Sequence, residues 1–513
     1  MSALRSSHPA QQQIADALAW LRAHVQPGAH LHADTRKIAA GDVFLAYAVD
    51  GADNRAFIAN AIERGAAAVL VQSDGFAGDI DAATTLAVPH LNELAGTIAS
   101  AWYGNPSDAM RVIGVTGTNG KTSCTNWISA ALTALGQPCA IIGTLGSGMP
   151  GHLVHTGFTT PDAPQLQHSL EQLRAAGAKA VAMEVSSHAL HQGRANGTAF
   201  SVGVFTNLTQ DHLDYHGTFE AYEAAKARLF AWPELKSAVI NADDEAGRRL
   251  IASTKGRAKT IAYSLQPHAD VQADASIVAS KVRATPTGTA FHIASDWGNA
   301  DIEVNTLGLF NVSNLLGVLG ALLASDVPFD AAVAQLTKLE SVNGRMERLG
   351  GRLQNDEPLV VIDYAHTPDA LEQTLKALRP IADARSGKLV CMFGCGGDRD
   401  ATKRPLMGAI AERCADGVVV TSDNPRSEDP QKIIDQIVAG MKDASKARRI
   451  EDRASAILQA VRCAAREDVV VLAGKGHEST QEIMGKKRAF SDQDHARLAL
   501  AARATHARGG AES

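Results

Sequence analysis

Short continuous apolar runs alternate with segments of helical periodicity along most of the chain. In the first hundred residues this pattern predicts helices over IADALAWLRAHV (14–25) and FIANAIERGA (57–66), and strands over DVFLAYAV (42–49) and AAVLVQ (67–72). Gly104-Asn105-Pro106 then breaks a helix and places a boundary near residue 109. From 111 to about 265 the strands VIGV, AVAMEV, SVGVFT and SAVIN alternate with helical stretches. Uninterrupted apolar strands of this kind predict a parallel sheet covered on both faces. Residues 270–305 change to alternating, Thr- and Val-rich segments and predict an antiparallel patch added to that sheet. A helix follows from Asn311, and Ser341–Arg345 interrupts the pattern. Beyond it PLVVIDYA, LVCMFG, GVVVTS and DVVVLAG alternate with helices as a second, Rossmann-like layer. The expected fold class is α/β in three domains, 1–109, 110–343 and 344–513, the central one mostly parallel; 513 residues is itself too long for one core.

Composition narrows the class. A hydrophobic content of 45% fills several cores, and a formal charge of -6 without a basic tail excludes binding to nucleic acid through its phosphates. MSALRSSHPAQQQIADALAW lacks the apolar segment of a signal peptide, and no 18 consecutive apolar residues occur, so a cytoplasmic protein without membrane insertion is expected. The six cysteines, 124, 139, 391, 395, 414 and 463, form no CxxC pair and read as reduced, packed thiols, with no zinc site at Cys391 and Cys395.

The chemistry begins at RVIGVTGTNGKTSCTN (111–126), where a strand runs into a Gly-rich turn and then a helix. Gly117 and Gly120 permit a tight turn whose N–H groups, with Thr118 and Asn119, can cradle phosphate; Lys121 adds a positive charge and Thr122 a hydroxyl for Mg2+. A strict GxxxxGK motif would need Gly where Val115 stands, so the match is to the shorter TGTNGKT form. A nucleoside triphosphate, ATP, is the expected ligand. Strand ends bring further groups toward that edge: Glu184 and Ser186 after AVAMEV, then Asn207, Asp211, His212, Asp214 and His216 after SVGVFT. Glu184 is placed to hold Mg2+, and a neutral His212 can ligate a second ion if a carboxylate shares it. Lys226, taken by itself, forms an i,i+3 surface ion pair with Glu223. In the last third, Asp363-Tyr364-Ala365-His366, Gly394–Arg399, Asp423-Asn424-Pro425-Arg426 and Gly474–Glu478 end four strands, and Arg399, Arg426 and Glu478 suit a zwitterion, guanidinium for carboxylate and carboxylate for ammonium.

TGTNGKT, EVSSHAL, TNLTQDHLDYHG, FNVSNLL, NGRME, DYAHTPD and GCGGDRD, in that order over nearly the whole chain, resemble the three-domain Mur ligases of peptidoglycan (cell wall) synthesis. Within that family Asp423–Arg426 resembles the signature of members that add meso-diaminopimelate to UDP-N-acetylmuramoyl-L-alanyl-D-glutamate. The resemblance implies that the first domain binds the UDP precursor, the central one ATP and Mg2+, and the third the amino acid. It implies Lys121, Glu184, His212 and Lys226 in catalysis; Gly117 to Thr122, Asn314, Arg345 and Asp363 at ATP; Thr35, Thr159, Thr160, Ser186 and Arg194 at the precursor; and Arg399, Asp423, Asn424, Arg426, Gly474 and Glu478 at the amino acid. By the same resemblance Lys226 is carbamylated and helps to hold a second Mg2+, joining Thr122, Glu184 and His212 at metal; a monomer is expected. A lysine-adding relative or a folylpolyglutamate-synthase-like ligase is the alternative; the latter has no cause to carry an N-terminal UDP-binding domain. A GTPase-type switch would need an NKxD-type motif after the phosphate loop, and none stands there.

Overall fold

The computed structural model describes residues 8–78, 81–268, 270–285 and 288–509; residues 1–7 of the N-terminal segment considered above lie outside them. Two compact units emerge. One runs through Val278 with Ser295–Trp297 and Leu316–Gln335, and the other holds Ala279–Ala294, Gly298–Leu315 and the chain from Leu336.

The first unit opens with a parallel sheet in the order Leu31–His32, Val43–Ala46, Ala68–Gln72, Thr85–Val88. Its second strand, VFLA, is fully apolar because both faces are covered. Val43 and Leu45 pack under the helices His8–His24 and Leu91–Trp102, while Phe44 and Ala46 pack with Ile38, Ala61, Val69 and Val71 on the other face.

Arg111–Thr116 is an interior strand of the large sheet, hydrogen-bonded in parallel to Ala180–Glu184 on one side and Phe200–Phe205 on the other. Glu184 lies level with Val115, and Phe205 with Thr116, so these strands end together. Ser237–Asn241 and Lys259–Ser264 continue the sheet in parallel. The expected antiparallel patch begins differently: its first strand, Ala275–Ala284, pairs in parallel with Lys259–Ser264. Thr289–Ser295 and Gly298–Val304 follow in the strand order. At the opposite edge stands an antiparallel hairpin, Gly146–Met149 with His152–Val154, that the apolar pattern did not predict. Helix Leu91–Trp102 meets the Gly193–Gly197 turn backbone to backbone. A Cβ on Gly96 would fall 2.1 Å from the Asn196 carbonyl oxygen, and one on Gly197 2.3 Å from that of Gly96.

The second unit contains a six-stranded sheet, Glu347–Gly350, Leu359–Asp363, Val469–Ala473, Leu389–Phe393, Gly417–Val420, Ala447–Arg449, parallel except for its first strand. The four polar turns singled out in the sequence all leave its carboxyl edge, where ligands of such sheets collect. A fully buried ion pair braces the residues just before two of these turns. Arg453 joins Asp492 at 2.6 Å, and its guanidinium also donates to the carbonyls of Ser422 and Ala473. No described helix is long and apolar enough to cross a membrane.

Candidate active site

In the first unit the phosphate loop has the geometry its glycines predict. Gly117 (φ +143°) and Gly120 (φ +85°) take conformations that favour glycine, and a Cβ at Gly117 would meet Thr206 Oγ1 at 1.9 Å. The neighbouring strand end braces the loop: Thr118 N–H donates to the Asn207 carbonyl, Asn119 N–H to Asn207 Oδ1, and Thr206 Oγ1 to the Asn119 carbonyl. Helix Lys121–Ala134 starts at Gly120 without a side-chain cap, so its amino end and dipole face the place an anion would occupy. Lys121 Nζ folds back onto the carbonyls of Gly117 (2.9 Å) and Thr118 (2.8 Å).

Glu184 is 1% exposed and receives three hydrogen bonds, from Thr122 Oγ1 at 3.1 Å, Thr144 N–H at 2.8 Å and Thr144 Oγ1 at 3.2 Å. Thr159 meets Thr144 hydroxyl to hydroxyl at 3.1 Å, and Thr160 Oγ1 donates to the Glu184 carbonyl. Ser186 caps the helix Ser187–His191 and gives its own N–H to Thr160 Oγ1; Arg194 Nη1 reaches the Thr160 carbonyl. Thr159, Thr160, Ser186 and Arg194 are thus one linked set beside Glu184. Thr35 makes no side-chain hydrogen bond to them among the described residues; it sits in a short turn whose Lys37 reaches Gln165.

Lys226 corrects the surface-pair reading. Its side chain is 2% exposed, Nζ donates to the Gly117 carbonyl at 2.8 Å and stands 4.4 Å from the Tyr222 ring centre, while Glu223 turns to Arg249. Burial, then the charge of Lys121, pushes its pKa well below the ordinary lysine value. An amine so placed gives up its proton more readily than an exposed lysine does. His212 has left-handed backbone (φ +53°) and lies 3.3 Å from Asp211. Desolvation and the charges of Lys121 and Lys226 lower its basicity against the pull of Asp211. His188 packs edge-on against it, its pKa lowered to about 4 by burial and the His212 charge. Among the described residues no three His, Cys, Asp or Glu side chains are grouped to hold a metal. Mg2+ nevertheless fits Thr122 and Glu184, because it keeps waters and is held by one or two carboxylates plus substrate phosphates.

The second unit holds the remaining predicted residues. Asp363 accepts from Met346 N–H, Ala365 N–H and Thr374 Oγ1, and burial raises its pKa. The Arg345 guanidinium lies over the Tyr364 ring at 4.4 Å, and Asn314, on helix Leu309–Leu323, is buried beside Asn311. Asn424 donates to Glu478 Oε2 at 2.8 Å, and Gly474 (φ +109°) approaches so closely that a Cβ would meet Asp423 Oδ2 at 2.6 Å. Arg426, at φ +53°, donates to the Gly397 carbonyl and stands 4.0 Å from Glu482. Arg399 is exposed at the rim. Sequence reasoning missed Thr144, Tyr222 and Lys475 as site residues; the first two are signalled only by contacts far along the chain.

The Mur ligase middle domain matches residues 115–322, and the Mur ligase glutamate ligase domain residues 344–476. A curated protein of Ralstonia nicotianae named UDP-N-acetylmuramoyl-L-alanyl-D-glutamate--2,6-diaminopimelate ligase is 59% identical over 507 residues, spanning 97% of this chain and 98% of its own. The chain belongs to the Mur ligase family. A Janthinobacterium relative of the same name is 50% identical over 96% of this chain and 97% of its own. A solved structure bearing that name superposes with a TM-score of 0.66 at 38% identity, covering 93% of this chain and 96% of the other. Mur ligases form amide bonds at the expense of ATP, and this chain is such an enzyme.

Proposed function

We propose that the chain joins meso-diaminopimelate to the D-glutamyl γ-carboxylate of UDP-N-acetylmuramoyl-L-alanyl-D-glutamate, converting ATP to ADP and phosphate, in peptidoglycan synthesis. The near-full-length identity to relatives of that name carries the reading, and the buried Asp423 and Asn424 beside the half-buried Arg426 and Glu478 support the amino acid. In this reading residues 1–109 with Thr35, Thr159, Thr160, Ser186 and Arg194 receive the precursor. Residues 110–343 hold ATP on Gly117–Thr122 with Asn314, and Arg345 and Asp363 contribute from 344–513, the amino-acid domain.

A carboxylate is a poor electrophile, so its oxygen first takes the γ-phosphoryl group of ATP, giving an acyl phosphate and ADP. Lys121 and the helix amino end draw off charge from the phosphoryl oxygens during this transfer. Mg2+, held by Thr122 and Glu184 with His212 and carbamylated Lys226, supplies further charge neutralisation when bound. The carbamate forms when the neutral Lys226 amine adds to carbon dioxide and releases a proton. The diaminopimelate amine then attacks the acyl carbon, and phosphate leaves from the tetrahedral intermediate. Asn424 and Arg426 hold the far end of the amino acid, and Glu478 its ammonium. The enzyme works as a cytoplasmic monomer in this reading. Phosphate release from ATP with precursor present tests it: release that requires meso-diaminopimelate supports it, release with L-lysine instead overturns the substrate, and none with either overturns the reaction.

A further inference from the structure

Lys475 lies between two left-handed glycines, Gly474 (φ +109°) and Gly476 (φ +51°), and its side chain is 0% exposed. Neither glycine tolerates a side chain. A Cβ on Gly474 would strike Asp423 Oδ2 and one on Gly476 the Tyr364 Cβ at 2.7 Å, so the lysine backbone is locked in place. Its Nζ donates to Glu478 Oε2 at 2.8 Å and to Asn424 Oδ1 at 3.2 Å. Asn424 Nδ2 gives a second hydrogen bond to the same Glu478 oxygen, and Asn424 Oδ1 also accepts the Glu482 N–H. Glu478 Oε1 receives none among the described residues, and the carboxylate side chain is 30% exposed. One oxygen is tied down from inside while the other is left for a cation from outside.

A buried lysine opposite a half-buried carboxylate is costly to desolvate and yields little net stability, so its retention calls for another role. We infer that Lys475 is a positioning residue for amino-acid selection: it holds Glu478 ionised and turned outward so that Oε1 receives the non-reacting ammonium of the incoming amino acid. This rests on the function proposed above. The attacking amine must be neutral, whereas the distal one remains an ammonium and needs an anion fixed at one distance. Lys475 cannot touch substrate itself, since no part of it reaches the surface. Its influence passes through Glu478 and through the amide of Asn424, whose orientation it sets by occupying Oδ1.

Burial opposes ionisation of Glu478, yet Lys475 first, then the Asn424 amide and His477, keep its pKa below the ordinary value. Asp423 acts on it in the opposite sense, and Arg453 and Tyr364 also face it. Without Lys475 only the Asn424 amide and His477 are left to oppose the burial penalty, so Glu478 would accept a proton at higher pH.

The test measures KM for meso-diaminopimelate, ATP and precursor, together with the pH profile of kcat/KM for the amino acid, in wild type, Lys475→Met, Glu478→Gln and the double variant. Lys475→Met should raise the amino-acid KM at least tenfold, leave the other two within about twofold, and move the acid limb of the profile upward by a unit or more. The double variant should be no worse than Glu478→Gln alone, because the lysine acts through that carboxylate. An unmoved acid limb, or losses that add in the double variant, would overturn the inference. If Lys475→Met does not fold, the pair of Glu478→Gln and double variants, which lack the stranded carboxylate, decides by the same additivity. Absence of diaminopimelate-dependent phosphate release in wild type would instead remove the underlying function.

Discussion

Lys226 and Lys475 are both buried at the carboxyl edge of a parallel sheet, and their surroundings set them to opposite tasks. Lys226 meets a carbonyl oxygen, a tyrosine ring and the field of another lysine; among the described residues no carboxylate lies within ion-pair distance of it. Lys475 meets a carboxylate at 2.8 Å and an amide oxygen at 3.2 Å. An isolated ammonium loses its proton when water is removed, whereas a paired one can keep it. One neighbour therefore separates a buried lysine without a counter-charge from one held by a carboxylate.

The comparison is broken most severely at Lys226. Lys226→Ala should lose activity on the order of 10³-fold, the equivalent of several kcal/mol of charge stabilisation, with partial rescue by short carboxylic acids. Full phosphate release without additives would end the case for a carbamate. Gly117→Ala attacks the carbonyl that Lys226 holds, placing a Cβ 1.9 Å from Thr206 Oγ1 in a backbone conformation hostile to it. Nucleotide affinity measured by titration should drop by at least about tenfold; unchanged binding would mean that the loop can relax. On the other side, Arg426→Ala should reduce the preference for meso-diaminopimelate over lysine by on the order of 10- to 100-fold, since lysine lacks the carboxylate whose absence strands the guanidinium. Competition assays with both amino acids check this, and the KM for ATP should stay within about twofold.

The smallest effect concerns stability. Lys226 has a folded pKa lowered from 10.5, so between the folded value and 10.5 the unfolded chain binds more protons and stability rises with pH. Lys226→Met removes this contribution. Urea midpoints in carbon-dioxide-free buffer at pH 7 and 9 should rise less in the variant than in wild type; equal rises would show that Lys226 titrates normally.

Much of the site was legible because its signals are local. TGTNGKT specifies its own turn, and Glu184 and Asp423 follow directly from the ends of apolar strands. Lys226 was not legible from its own segment. FEAYEAAKA looks like a solvated helix, and the atom that decides otherwise, the Gly117 carbonyl, lies 109 residues earlier. Tyr222, Ala225 and Lys226 do share the buried face, a clue that the charges of the segment conceal. Thr144 escaped because the strand Cys139–Gly143 was not expected at all. Lys475 was not singled out within its glycine turn, and one of its partners, Asn424, is 51 residues away. For Lys226 and Lys475 contacts distant in sequence, invisible to periodicity, made the difference.

The paired approach of Gly96 and Gly197 bears on modularity. The boundary expected from sequence near 109 would make a cassette that could be exchanged between relatives, but a lock made of two missing side chains has halves on both sides of that position. A chimera carrying a foreign N-terminal segment with alanine at position 96 would arrive correctly folded yet unable to seat. Recombination at this joint must therefore preserve a negative shape, an absence matched to an absence, along with the hydrogen bond from Asn196 Nδ2 to the Glu93 carbonyl.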